Sequence, residues 1–152
     1  MWNLSLKFLH IVLAIVAVGF NATYGLLIGR ARRAGPDARE LRFALRTVKV
    51  MDDYVANPCY GLLLVTGATL VYVSGIPWSA KWVHISMTLW LVVAAIAGLV
   101  YTPTLRKQIA VLEARGPEDP EFVALSKRGA IAGGLLGVLV LVIVWLMVTK
   151  PA

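Results

Sequence analysis

Four apolar stretches set the pattern of this chain: Leu4 to Leu27, Tyr54 to Val73, Trp82 to Tyr101 and Gly129 to Val148. Each runs for about 20 residues with few or no charges, the length needed to cross a hydrocarbon core of about 30 Å. Inside a bilayer every backbone N–H and C=O must be satisfied within its own segment, so the pattern predicts helices rather than open sheet. The expected fold is therefore all-α, a polytopic membrane protein with four transmembrane helices in an up-down bundle, forming one domain over residues 1–152. Between the stretches, Asp37 to Val50 has helical composition, with Arg39, Arg42 and Arg46 recurring at helical spacing, which suggests a helix lying at the membrane interface. Gly116-Pro117-Glu118-Asp119-Pro120 reads as a turn between two short helical extensions, and Ser74-Gly75-Ile76-Pro77 as a tight connection. Asn57-Pro58 is expected to bend the start of the second span.

Composition supports the pattern: 59% of the 152 residues are hydrophobic and only 15% are charged. Mean hydropathy is +0.78. The first stretch is too long for the apolar region of a signal peptide, and Arg30, Arg32 and Arg33 follow it as a stop-transfer flank would. The single Cys59 excludes an internal disulfide.

A formal net charge of +7 raises the question of a nucleic-acid partner, but the placement of the charges answers it otherwise. Twelve of the 15 basic residues fall in two loops, Arg30 to Lys49 and Arg106 to Arg128. The positive-inside rule puts those loops in the cytoplasm and both chain ends on the outer face of the cell inner (plasma) membrane. The basic charge sets topology and meets anionic lipid headgroups, with the bilayer rather than nucleic acid as its partner. Asp52 and Asp53, at the cytoplasmic end of the second span, read as solvated end charges or partners of the loop arginines.

An internal repeat is visible. Lys7-Phe8-Leu9-His10-Ile11 returns as Lys81-Trp82-Val83-His84-Ile85, displaced by 74 positions, and the same shift carries Arg32-Arg33 onto Arg106-Lys107 and Pro77 onto Pro151. Two similar helical hairpins in one orientation imply a pseudo-two-fold axis along the membrane normal.

Ionisable residues within a span are costly and usually mark a function. His10 and His84 are the only histidines, and each lies one to two turns below the outer surface. Their helices are expected to be diagonal partners, roughly 11 to 14 Å apart, which suits an imidazole, a metal and a second imidazole. A haem iron would take both as axial ligands. Lys7 and Lys81 each precede a histidine by three residues and share its helix face, positioned for propionates. Phe8, Trp82 and Trp90 supply aromatic bulk, and Gly61, Gly67, Gly133, Gly134 and Gly137 allow close helix approach or room for a flat cofactor.

The ordinary roles of these residues are interfacial hydrogen bonding for histidine, snorkelling for lysine, and an aromatic belt for Trp2, Trp78, Trp82 and Trp145. For the step from Gly133 to Gly137 the ordinary role is helix packing. Copper is the competing metal, because Met87 and Met147 lie near the same depth as the histidines. Neither a nucleophile with its base, nor a phosphate loop, nor paired catalytic carboxylates are visible, which argues against hydrolysis and phosphoryl transfer.

Lys7-Phe8-Leu9-His10, Tyr101-Thr102-Pro103-Thr104-Leu105-Arg106 and Met147-Val148-Thr149-Lys150-Pro151 together resemble the integral membrane proteins of domain-of-unknown-function family 2269, over nearly the whole chain. More distantly, the opening lysine-x-x-histidine helix, Trp82-Val83-His84-Ile85 and the Lys150-Pro151 ending are similar to the four-helix membrane protoporphyrinogen oxidases. That resemblance implies haem b on His10 and His84. Where those enzymes carry a lysine two residues after the second histidine this chain has Ser86, a departure that bears on porphyrinogen oxidation and not on haem. The copper-resistance membrane proteins share a similar opening helix.

The leading expectation is a haem-b-binding membrane protein for electron transfer near the outer face, as a possible subunit of a larger redox complex. A protoporphyrinogen-oxidase-like enzyme, a non-catalytic membrane subunit or assembly factor, and a copper-binding membrane protein are the alternatives. The topology is testable first. In a Cys59→Ser background, a cysteine placed by Ala152→Cys should react with a membrane-impermeant maleimide on intact cells, and one placed by Glu118→Cys only after lysis.

Overall fold

In a computed structural model, which describes residues 2–33 and 38–151, four long helices carry the chain. They are α1 (Trp2–Arg33), α2 (Ala38–Val73), α3 (Lys81–Arg115) and α4 (Pro120–Thr149), all long and apolar enough to cross a membrane. The helices outrun the apolar stretches because polar residues at their ends are good helix formers, and helix need not stop where hydrocarbon stops. Asp37, where the interfacial helix was expected to begin, lies outside the described residues.

The connections follow local chemistry. Gly75 (φ +63°) and Gly116 (φ +89°) occupy left-handed backbone, which glycine adopts without a Cβ clash. Asp119 then caps α4, its carboxylate accepting from the backbone N–H of Glu121 at 2.9 Å, with Pro120 at the first helical position.

Asn57-Pro58 does not begin a helix. A five-residue π turn, Asp52–Ala56, runs straight into it, and a second, Ala97–Tyr101, precedes Thr102-Pro103. In both, the residue before the proline donates its N–H five residues back, Asn57 to Asp52 and Thr102 to Ala97. Proline lacks an N–H and its ring collides with the carbonyl four residues earlier; one wide turn relieves that conflict without ending the helix. The sequence repeat is not kept here, since the turns fall in the second helix of one hairpin and the first helix of the other.

As a result the interfacial helix is corrected to the opening half of α2. Its apolar stripe, Leu41, Ala44, Leu45 and Val48, is buried in the main core, against α1 and against the segment Thr102–Arg115 of α3. Ion pairs fasten the same end: Arg46 to Glu113 at 2.6 Å and Lys107 to Glu121 at 2.7 Å. Being exposed, each contributes on the order of 0–1 kcal/mol, so apolar burial dominates.

The termini lie together at the other end, where the Asn3 side chain donates to the Val73 carbonyl at 3.4 Å and the Lys150 ammonium stands 5.6 Å from the Trp82 ring centroid. Around the bundle α1 packs on α2 and α4, and α3 on α4, while α1 and α3 are diagonal. In the terminal half, Asn57–Val73 packs on α1 and Lys81–Ile96 on α4, but among the described residues no packing joins these two segments to each other. The hairpins are joined by α1 on α4 and, through the opening half of α2, by its packing on Thr102–Arg115.

Leu45 is fully buried and Phe43 is 69% exposed. Leu45→Ala should therefore destabilise the protein by roughly 2–5 kcal/mol. Phe43→Ala should stay within about 0.5 kcal/mol. Thermal unfolding in detergent reads the difference; equal effects would mean that the segment does not pack as described.

Candidate functional site: His10 and the polar interior

His10 lies on the inward face of α1, in register with buried Leu13 and Ala17. Its Nδ1 sits 2.7 Å from the Thr66 hydroxyl oxygen on α2. That hydroxyl also lies 2.7 Å from the Leu62 carbonyl, the bond a helical threonine commonly makes one turn back. Its one proton serves either contact: turned to Leu62 it leaves Thr66 accepting from His10 Nδ1–H, and turned to His10 it makes Nδ1 the acceptor. The first of these arrangements is the tautomer that ligates metals through Nε2. Gly67 completes the setting: a Cβ there would stand 3.1 Å from His10 Cε1, so a larger residue would press the ring aside by a few tenths of an ångström.

The other expected site residues are not gathered around it. His84 is exposed on the face of α3 opposite buried Val83, Ser86 and Val93, which in a membrane is a face toward lipid or another chain. The structure therefore does not bring His84 to His10 across the bundle. Lys7 and Lys81 are exposed, and Met87 and Met147 are half-buried. Among the described residues no group of three or more histidine, cysteine or acidic side chains is placed to hold a metal ion. Ser86, 1% exposed, is the inward-facing residue at that level of α3, and its hydroxyl and the Trp90 indole N–H are buried without a hydrogen-bond partner.

A second polar region, toward the basic end, was not anticipated. Asp52 is not a solvated end charge: it is 7% exposed, turned inward by its π turn. Its carboxylate accepts from Asn57 Nδ2 at 3.3 Å and from the Thr102 hydroxyl at 3.5 Å, so each proline-linked turn contributes to one contact between α2 and α3. Asp53 faces outward and pairs with Lys49, not with a loop arginine. Nearby the Asn21 amide donates to the Tyr60 hydroxyl and to the Ala17 carbonyl. Gln108 donates to Ser126 at 2.8 Å.

Between α1 and α4, beside this region, is a cavity of about 480 Å³ whose lining includes Asn21, Tyr24, Tyr101, Gln108 and Ser126. Gly133 and Gly137 also line it. Only one of them lies near a neighbouring helix: a Cβ at Gly133 would stand 3.5 Å from the Tyr101 ring, and one at Gly137 would meet nothing within 4 Å. The sequence signals were present, in Asn-Pro, Thr-Pro and three interior tyrosines, but a turn of unusual width decides which way they face.

Replacing Asp52 by alanine removes the acceptor of two part-buried hydrogen bonds and should cost about 0.5–1.5 kcal/mol. Asp52→Asn, which keeps an acceptor, should cost less. Thermal unfolding of the two variants orders them, and indifference to Asp52→Ala would mean that the carboxylate holds nothing.

No curated protein and no solved structure matches the chain. The sequence model of one family does match, over residues 4–151, and its description is a predicted integral membrane protein, DUF2269. With four membrane-length helices and that match over nearly its whole length, the chain belongs to the DUF2269 family of integral membrane proteins.

Proposed function

We propose that this chain is a haem-b-binding membrane protein in which His10 supplies an axial ligand near the terminal end of the bundle, within a larger membrane redox assembly. The observation that carries the reading is the hydrogen bond between His10 Nδ1 and the Thr66 hydroxyl, read here with Nδ1 as the donor. Thr66 holds Nδ1–H and orients the ring, Gly67 leaves it room, and the free Nε2 lone pair is the donor that haem iron takes. When bound, the group would supply one-electron transfer. Lys7, one turn nearer the surface, is a cation on the side from which propionates would approach. His84 faces outward and is not part of the proposed site. By the topology proposed from the charges, this site lies near the outer face of the plasma membrane.

A non-catalytic membrane subunit is the second reading. It is favoured by His84 on the outward face and by an interior cavity that lies away from both histidines. One measurement separates the two. On the first reading, the protein purified in mild detergent gives a reduced-minus-oxidised haem spectrum. His10→Ala abolishes it, His84→Ala leaves it, and Thr66→Val weakens haem affinity about 10- to 100-fold. No Soret band, with or without added haemin, leaves only the second reading.

A further inference from the structure

We infer that the cavity between α1 and α4 is a binding site for one anionic phospholipid drawn from the leaflet at the basic end. Its walls are made by omission. Gly25, Gly29, Gly134 and Gly137 all line it, and a Cβ at any of the four would meet nothing within 4 Å. Glycine pairs in membrane helices ordinarily let two backbones touch; here the same residues keep a gap open along both helices. A gap left empty in an apolar interior forfeits dispersion contacts, so something of matching shape gains by filling it.

The gap opens sideways. Ala22, Gly25, Gly134 and Leu141 line it and are also exposed on the bundle surface, so in a membrane its entrance faces hydrocarbon. Along α1 the lining runs from Val18 to Arg32, about 21 Å at 1.5 Å per residue. That is close to half of a bilayer of about 40–45 Å including headgroups, the extent of one lipid in one leaflet.

Polar groups stand at the end where a headgroup would lie. Arg32, in the last turn of α1, is exposed and forms no ion pair among the described residues. Deeper in, Tyr24 is 3% exposed and its hydroxyl has no partner, so an ester oxygen of the lipid would satisfy a group that is otherwise costly to bury. An apolar slot of leaflet length, a cation at its mouth and an unpaired donor below it select a phosphate ester carrying acyl chains over a soluble anion.

The test uses the full chain in nanodiscs holding equal phosphatidylglycerol and phosphatidylcholine, with retained lipid counted by native mass spectrometry after release. One phosphatidylglycerol should stay bound in preference to phosphatidylcholine. Arg32→Gln should lower its retention about fivefold, the effect of one cation near the surface. Gly134→Leu, which projects into open space, should abolish retention while helicity and melting temperature stay at the wild-type values. Equal retention of both lipids, or undiminished retention in Gly134→Leu, would overturn the assignment. So would displacement by glycerol phosphate without acyl chains, or loss through Lys127→Gln with Arg128→Gln instead of Arg32→Gln.

Discussion

The bundle depends on how two prolines are carried inside long helices. A proline within a span removes one backbone donor and drives its ring at a carbonyl, in a medium with no water to repair the loss. Ahead of Pro58 and Pro103 the chain widens by one residue and keeps going. Each wide turn shifts the face presented by everything that follows it. Asp52 and Tyr101, which belong to those turns, are buried.

The polar interior follows from that shift. An aspartate in the bundle is tolerable only with donors around it, and Asn57 and Thr102 are the residues that precede the two prolines. One sequence feature, a polar residue followed by proline, thus relieves the backbone conflict and supplies the side chain that compensates the buried charge. Beside it, glycines of α1 and α4 line the cavity between those helices.

The four spans and the order of the helices were legible in the sequence because hydrocarbon imposes a length and a composition that few other environments require. The turn at Gly116 and the tight connection at Gly75 were legible from glycine and proline chemistry. Facing was not. His10 and His84 occupy matching places in a repeated pentapeptide, yet one is inward and the other outward, because the two hairpins do not pack as copies. Asp52 misled too: it stands beside Asp53 and one turn from Lys49, but the π turn sets it on the inner face, where Asn57 and Thr102 are its hydrogen-bond partners. Between Gly133 and Gly137 the spacing suggested a close contact, whereas only Gly133 lies near a neighbour, the Tyr101 ring, and Gly137 faces open space.

Because Asn57–Val73 and Lys81–Ile96 pack on different helices and not on each other, mechanical load is unevenly shared around the bundle. Tension applied between the two termini falls on the packing of α1 against α4, the helices that carry those termini, while the Asn3 to Val73 bond and the Lys150 to Trp82 contact each lie within one hairpin and are spared.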